Sequence, residues 1–127
     1  MNVISGIIKQ FDYYKLLGEK TFSQLSEKEL FWQYNENSNS IAIIVNHISG
    51  NMLSRWTDFL TTDGEKDWRN RDEEFEDNIH SKTELIDKWE QGWKCLFDAL
   101  QQIKTDEDLQ QIIYIRNEGH TVLEAIN

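Results

Sequence analysis

His47 is the side chain with the clearest potential for chemistry. It stands in Ser40–Leu60, SIAIIVNHISGNMLSRWTDFL, among small polar residues. At about 100° per residue, Ser40, His47, Asn51, Ser54 and Asp58 fall within about 60° of one another on a helix. Solvated helix faces ordinarily carry Lys and Glu; this stripe has neither. It therefore suits a cleft or ligand site, although a surface stripe that happens to hold a histidine has the same pattern. The other histidines are His80 and His120, each expected at an element end. A three-histidine metal site would need all three to converge from separate elements. Glu118 and Asp58 are possible oxygen donors, and a carboxylate at such a distance more often orients a ligand than binds the metal.

Other patterns carry less. Cys95 has no His or Cys at a metal-ligand spacing and reads as a packing residue. Glu73 and Glu74 read as a solvated acidic run. Arg55 with Asp58, and Arg69 or Arg71 with nearby acids, read as structural pairs of modest value. There is no phosphate-binding glycine loop, His-Glu-x-x-His, paired cysteine or nucleophile elbow.

The elements that position His47 follow from periodicity. Opposite the polar stripe, Ile41, Val45, Ile48, Met52, Trp56 and Phe59 form an apolar face, capped by Ser40 or Ser38. A first helix is expected over about residues 3–24. Ser26-Glu27-Lys28-Glu29 has the form of a capping box, and Asn35–Asn39 is a polar linker. Thr62-Asp63-Gly64 ends the second helix. A long charged loop follows, expected to be pinned by Trp68 and Phe75. Ser81-Lys82-Thr83-Glu84 opens a third helix through about Lys104. Ile112–Ile115 is β-branched and suits an extended segment, after which Asn117-Glu118-Gly119 turns the chain. Thr121-Val122-Leu123-Glu124 is one more capping box. It opens a fourth helix that reaches only its first turn by Asn127 and whose body is expected beyond it. The fold class is therefore all-α, an up-and-down four-helix bundle in a single domain, residues 1–127.

Composition sets the outer limits. The chain has 127 residues, 39% hydrophobic and 12% aromatic, with no proline. That is enough apolar material for a core without disulfides or metal staples, and the missing proline favours helices with short connections. With 13 basic against 23 acidic residues, the net charge of −10 disfavours nucleic acid and anionic membranes as partners. One cysteine, no long apolar span and no signal-peptide pattern point to the cytoplasm.

The run NSIAIIVNHISGNMLSRWTDFLTTDGEKDWRNRDEEF, with YKLLGEK before it and IRNEGHTVLEAIN after it, resembles a bacterial subgroup of the DinB/YfiT-like superfamily. The resemblance covers most of the chain in order. It implies a four-helix bundle, often a homodimer, with a divalent metal (Zn, Ni or Fe) held by three histidines. His47 matches the ligand on the second helix, with Asn51 and Asp58 as possible neighbours. The other two ligands, a His-x-x-x-His pair on the fourth helix, are expected beyond Asn127. His120 matches a residue before that helix and no ligand. Some superfamily members are similar to metal-dependent thiol transferases, so the resemblance implies a metal-dependent transferase or hydrolase with a low-molecular-weight thiol or other small ligand as partner. The alternative is a non-catalytic small-molecule-binding or stress-associated bundle.

Overall fold

The computed structural model describes residues 3–76 and 78–127. Three long helices dominate it: α1 (Val3–Gln24), α3 (Ile41–Trp56) and α5 (Lys82–Leu100). The short helices α2 (Glu27–Leu30) and α4 (Arg71–Glu74) lie in the connections. After α5 come a 3-10 turn (Asp106–Gln110), strands β1 (Ile112–Ile115) and β2 (Glu118–Thr121), and α6 (Val122–Ile126). The described residues are mostly helical, and none of their helices is long and apolar enough to cross a membrane.

The apolar periodicity does what it predicts. Val45, Met52, Trp56 and Phe59 are buried, with Ile41 and Ile48 packed partly against them. They meet Leu85, Trp89, Trp93, Leu96 and Leu100 of α5, the helix that α3 contacts most. The two axes come close because the crossing is made of small residues. A methyl group on Gly92 would stand 3.0 Å from the Ser49 Cα, and the Ser49 hydroxyl donates to the Lys88 carbonyl at 2.7 Å. α1 closes the other side through Phe22, whose ring meets Trp89 edge-on at 4.9 Å, within the favourable range for aromatic pairs.

The helix starts are as expected. Ser26 and Thr121 form complete capping boxes with Glu29 and Glu124, and Ser40 and Ser81 cap α3 and α5. Three boundaries need correction. α3 stops at Trp56 instead of Leu60, because Thr57 is extended with ψ of 122° and Asp58 then turns the chain with φ of 47°. α5 stops at Leu100, short of Lys104. The all-α expectation also omits a paired hairpin: β1 and β2 are antiparallel, with Ile112 opposite Thr121 and Ile115 opposite Glu118. Its turn is Arg116-Asn117, one residue before the predicted position. Both residues have positive φ, 53° and 65°, as the twist of a two-residue hairpin requires.

The long loop is pinned differently from expectation. Trp68 and Phe75 are 60% and 46% exposed, so neither is buried as an anchor, and Phe75 meets α3 through the His47 ring. Polar side chains of α3 hold it instead. Ser54, fully buried, donates to the Gly64 carbonyl at 2.8 Å and accepts from the Lys66 amide at 2.9 Å. Asn46, also buried, donates to the Glu74 carbonyl and to Asn78 Oδ1.

Candidate functional site

The polar face of α3 divides into a structural part and an open part. Ser40 is a buried cap, Ser54 is an anchor for the loop, and Asp58 lies past the helix end, exposed, beside a different cleft that includes Cys95 and Lys94. His47 and Asn51 remain together. One turn further, Arg55 joins them on the wall of a cleft of about 420 Å³. Arg71 from the loop, Arg116 from the hairpin turn and His120 from β2 complete it. The structure thus brings His120 and Glu118 to the cleft of His47, while His80 is exposed next to the cap of α5.

Behind His47 lies the residue that the solvated-run interpretation misplaces. Glu74 is buried, 7% exposed. Its carboxylate receives a two-pronged contact from Arg69, Nε to Oε2 at 3.0 Å and Nη2 to Oε1 at 3.1 Å. The Arg69 side chain is itself only 2% exposed. His47 Nδ1 is 3.0 Å from Glu74 Oε1. A carboxylate paired with arginine can only accept, so Nδ1 carries the proton and Nε2 is left as the basic nitrogen. Phe75 lies 4.8 Å from the imidazole, ring to ring. Gly50 makes room for this arrangement: a methyl group there would overlap the Glu74 carboxylate.

A second carboxylate organises the rest. Glu65 receives both prongs of Arg71 at 2.9 Å and stands 3.6 Å from Arg69 and 3.8 Å from Arg116. The hydrogen bonds from Arg71 hold the Glu65 carboxyl below the usual range. Asp63 fixes the hairpin to the loop. It accepts from the amides of Asn117 and Arg116 at 2.8 Å each and from the Glu65 amide at 2.7 Å. Those amides, Asn117 first, keep its carboxyl low. Arg55 is placed otherwise. It has no ion pair with Asp58, and its Nε is buried without a hydrogen-bond partner. Burial and the neighbouring Arg69 push its pKa down from the usual value.

Sequence reasoning found His47 and Asn51 and missed the convergence of arginines and the burial of Glu74. The signal available was helical spacing. Arg55 is two turns from His47 on the same face, as readable as Asn51. Nothing local marks Glu74 among four acids in RDEEFE. Among the described residues no three His, Cys, Asp or Glu side chains are grouped closely enough to hold a metal ion, and a His-x-x-x-His pair has no counterpart in residues 1–127.

The whole chain, residues 1–127, matches the family described as Protein of unknown function (DUF1572), and the chain belongs to that family. No curated protein and no solved structure matches it.

Proposed function

We propose that this family member is a metal-dependent enzyme acting on a small molecule, built as a DinB-like bundle, with His47 as a metal-binding imidazole. The observation that carries this is the buried Glu74 carboxylate 3.0 Å from His47 Nδ1. A histidine whose one nitrogen is fixed to a carboxylate presents the other in a set orientation and tautomer, the usual support for a metal-binding imidazole. The fit is to one ligand. His120 and Glu118 line the same cleft but are not grouped with His47 closely enough to share an ion with it; the further ligands in this reading are the fourth-helix pair that the resemblance implies. Zinc, nickel or iron held there would lower the pKa of a bound thiol or water.

The chain's own residues have separable roles in this reading. Arg69 donates twice to the buried Glu74 carboxylate, and Glu74 accepts from Nδ1. Phe75 packs against one side of the imidazole, ring to ring at 4.8 Å. Asn51, one turn along α3, offers the cleft a neutral hydrogen-bonding group. The alternative, a non-catalytic small-molecule-binding bundle, uses the same cleft and is favoured by its polar lining.

Zinc titration followed through imidazole nitrogen resonances tests the proposal. The expected free state is His47 protonated on Nδ1, with zinc shifting Nε2. Glu74→Gln should weaken the response by about 10–100-fold, the usual effect of losing such support. An unchanged zinc response in His47→Ala would overturn the metal assignment. The non-catalytic alternative is then the better reading if small molecules still bind.

A further inference from the structure

We propose that the arginine-lined part of this cleft is an oxyanion site that takes the carboxylate or phosphate group of a small molecule. The inference rests on the cleft being the working site, as above, and does not require the metal.

All four arginines of the chain come to this one region: Arg55 from α3, Arg69 and Arg71 from the loop, Arg116 from the hairpin turn. None of the nine lysines lines the cleft among the described residues. That choice is chemically specific. A guanidinium is a planar fork that matches paired carboxylate or phosphate oxygens, whereas an ammonium is a point charge. The gathering is also costly by itself, since like charges at this range repel unless something neutralises them.

Neutralisation from within the protein is incomplete. Glu65 pairs fully with Arg71 and stands near Arg69 and Arg116. Glu74 is shared between Arg69 and His47. Four guanidinium charges therefore face two buried or half-buried carboxylates. Glu118 shares the cleft wall, but its side chain is 80% exposed and lies 3.9 Å from His120 Nε2. Arg55 is the group left over, with its Nε buried and without a partner. Among the described residues Trp93 Nε1 in the helical core shares that status, and of the two only Arg55 lines this cleft.

The backbone gives an independent sign. Arg116 sits at φ of 53° in a turn where glycine or asparagine is at ease. An arginine held in that conformation, at a cleft already rich in arginine, is strain of the kind found at functional sites. The cleft thus gathers positive charge within a chain of net charge −10, which attracts a small anion.

The test uses inorganic phosphate and succinate, with succinamide as the neutral control, in low-chloride buffer. Arginine Nε–H resonances report binding. Saturable shifts of Arg55 and Arg116 are expected with an anion and none with succinamide. Saturation by phosphate alone or succinate alone supports the site and assigns its group. Arg55→Gln should weaken binding tenfold or more. Arg116→Gln, at an exposed turn, is the second variant should the first unfold. Lys104→Gln, an exposed lysine elsewhere, should bind as the parent does. The site is overturned if neither anion saturates, if Arg55→Gln and Arg116→Gln bind normally, or if Lys104→Gln is equally impaired. Failure here with an intact zinc response at His47 removes the oxyanion site alone. Anion binding that survives in His47→Ala, with the zinc response at His47 absent from the parent, removes the metal reading alone.

Discussion

Trp89 and Glu74 are buried to nearly the same extent, 6% and 7% exposed, and are held by opposite means. Trp89 is held by shape. It fits against Phe22 and Trp93, lies over Gly18 and spends its one donor on Glu19 at 3.2 Å. Many neighbours share the work, so its contribution scales with area. Glu74 is held by two partners, Arg69 and His47. A buried ion pair gains little over an apolar pair of the same shape, yet losing one member strands the other. The helical interior is therefore additive in character, and the polar end is conditional: each charge is tolerable only while its partner stays.

The contrast can be broken experimentally. Trp89→Ala should produce the largest loss, about 4 kcal/mol, within the range for removing a buried aromatic, read by denaturant unfolding. A loss below about 1 kcal/mol would remove the interior from the comparison. Glu74→Ala should cost about 3 kcal/mol because buried Arg69 loses its two-pronged partner and keeps only the longer contact to Glu65. Adding Arg69→Leu should recover part of that. Simple additivity in this double-mutant cycle would sink the conditional character of the polar end.

Acidification sharpens the same point. The Asp63 carboxyl is lower in the folded chain than in the unfolded one, through the amides of Asn117, Glu65 and Arg116. Its stabilising effect is thus full above the unfolded value, about 4, and is lost as pH falls through the lower folded value. Asp63→Asn should be less stable than the parent at pH 7 and nearly equal to it in the most acidic buffers; an equal gap at both would contradict this. The smallest stability change is expected from Arg116→Gly, which should be neutral or stabilising by about 1 kcal/mol as the strained φ relaxes. Its response to phosphate should nevertheless weaken. A marked destabilisation would show that Arg116 belongs to the framework and not to the cleft.

The helices were legible because they answer to period and cap, which are local. Ile41 through Phe59 announce a buried face by spacing alone, and Ser26, Ser40, Ser81 and Thr121 announce starts within four residues. His47 was legible for the same reason. The loop was not. Trp68 and Phe75 look like anchors because aromatic area usually buries, whereas the polar Ser54 and Asn46 hold the loop through hydrogen bonds that no spacing encodes. Glu74 reads as solvated because burial of a carboxylate depends on Arg69 and on the space above Gly50, both remote from the pattern of its own segment. The expectation for Asp58 failed through geometry: at Thr57, the residue after Trp56, the chain is already extended, and an angle counted on a helix no longer applies.

The contact between Asp63 and the hairpin has a consequence in time. Its bonds join residues 53 and 54 positions apart, and closing so long a segment costs entropy that no local contact returns. α3 and α5, meeting through a large apolar face, supply that closure first and bring the loop to within reach of the hairpin. Arg116 is therefore expected to dock last among the four arginines, with φ-values near zero at Asp63 and Arg116 in folding kinetics. Until it docks, the charges that repel one another are apart, and the collapsing chain is spared their company during the search for its interior.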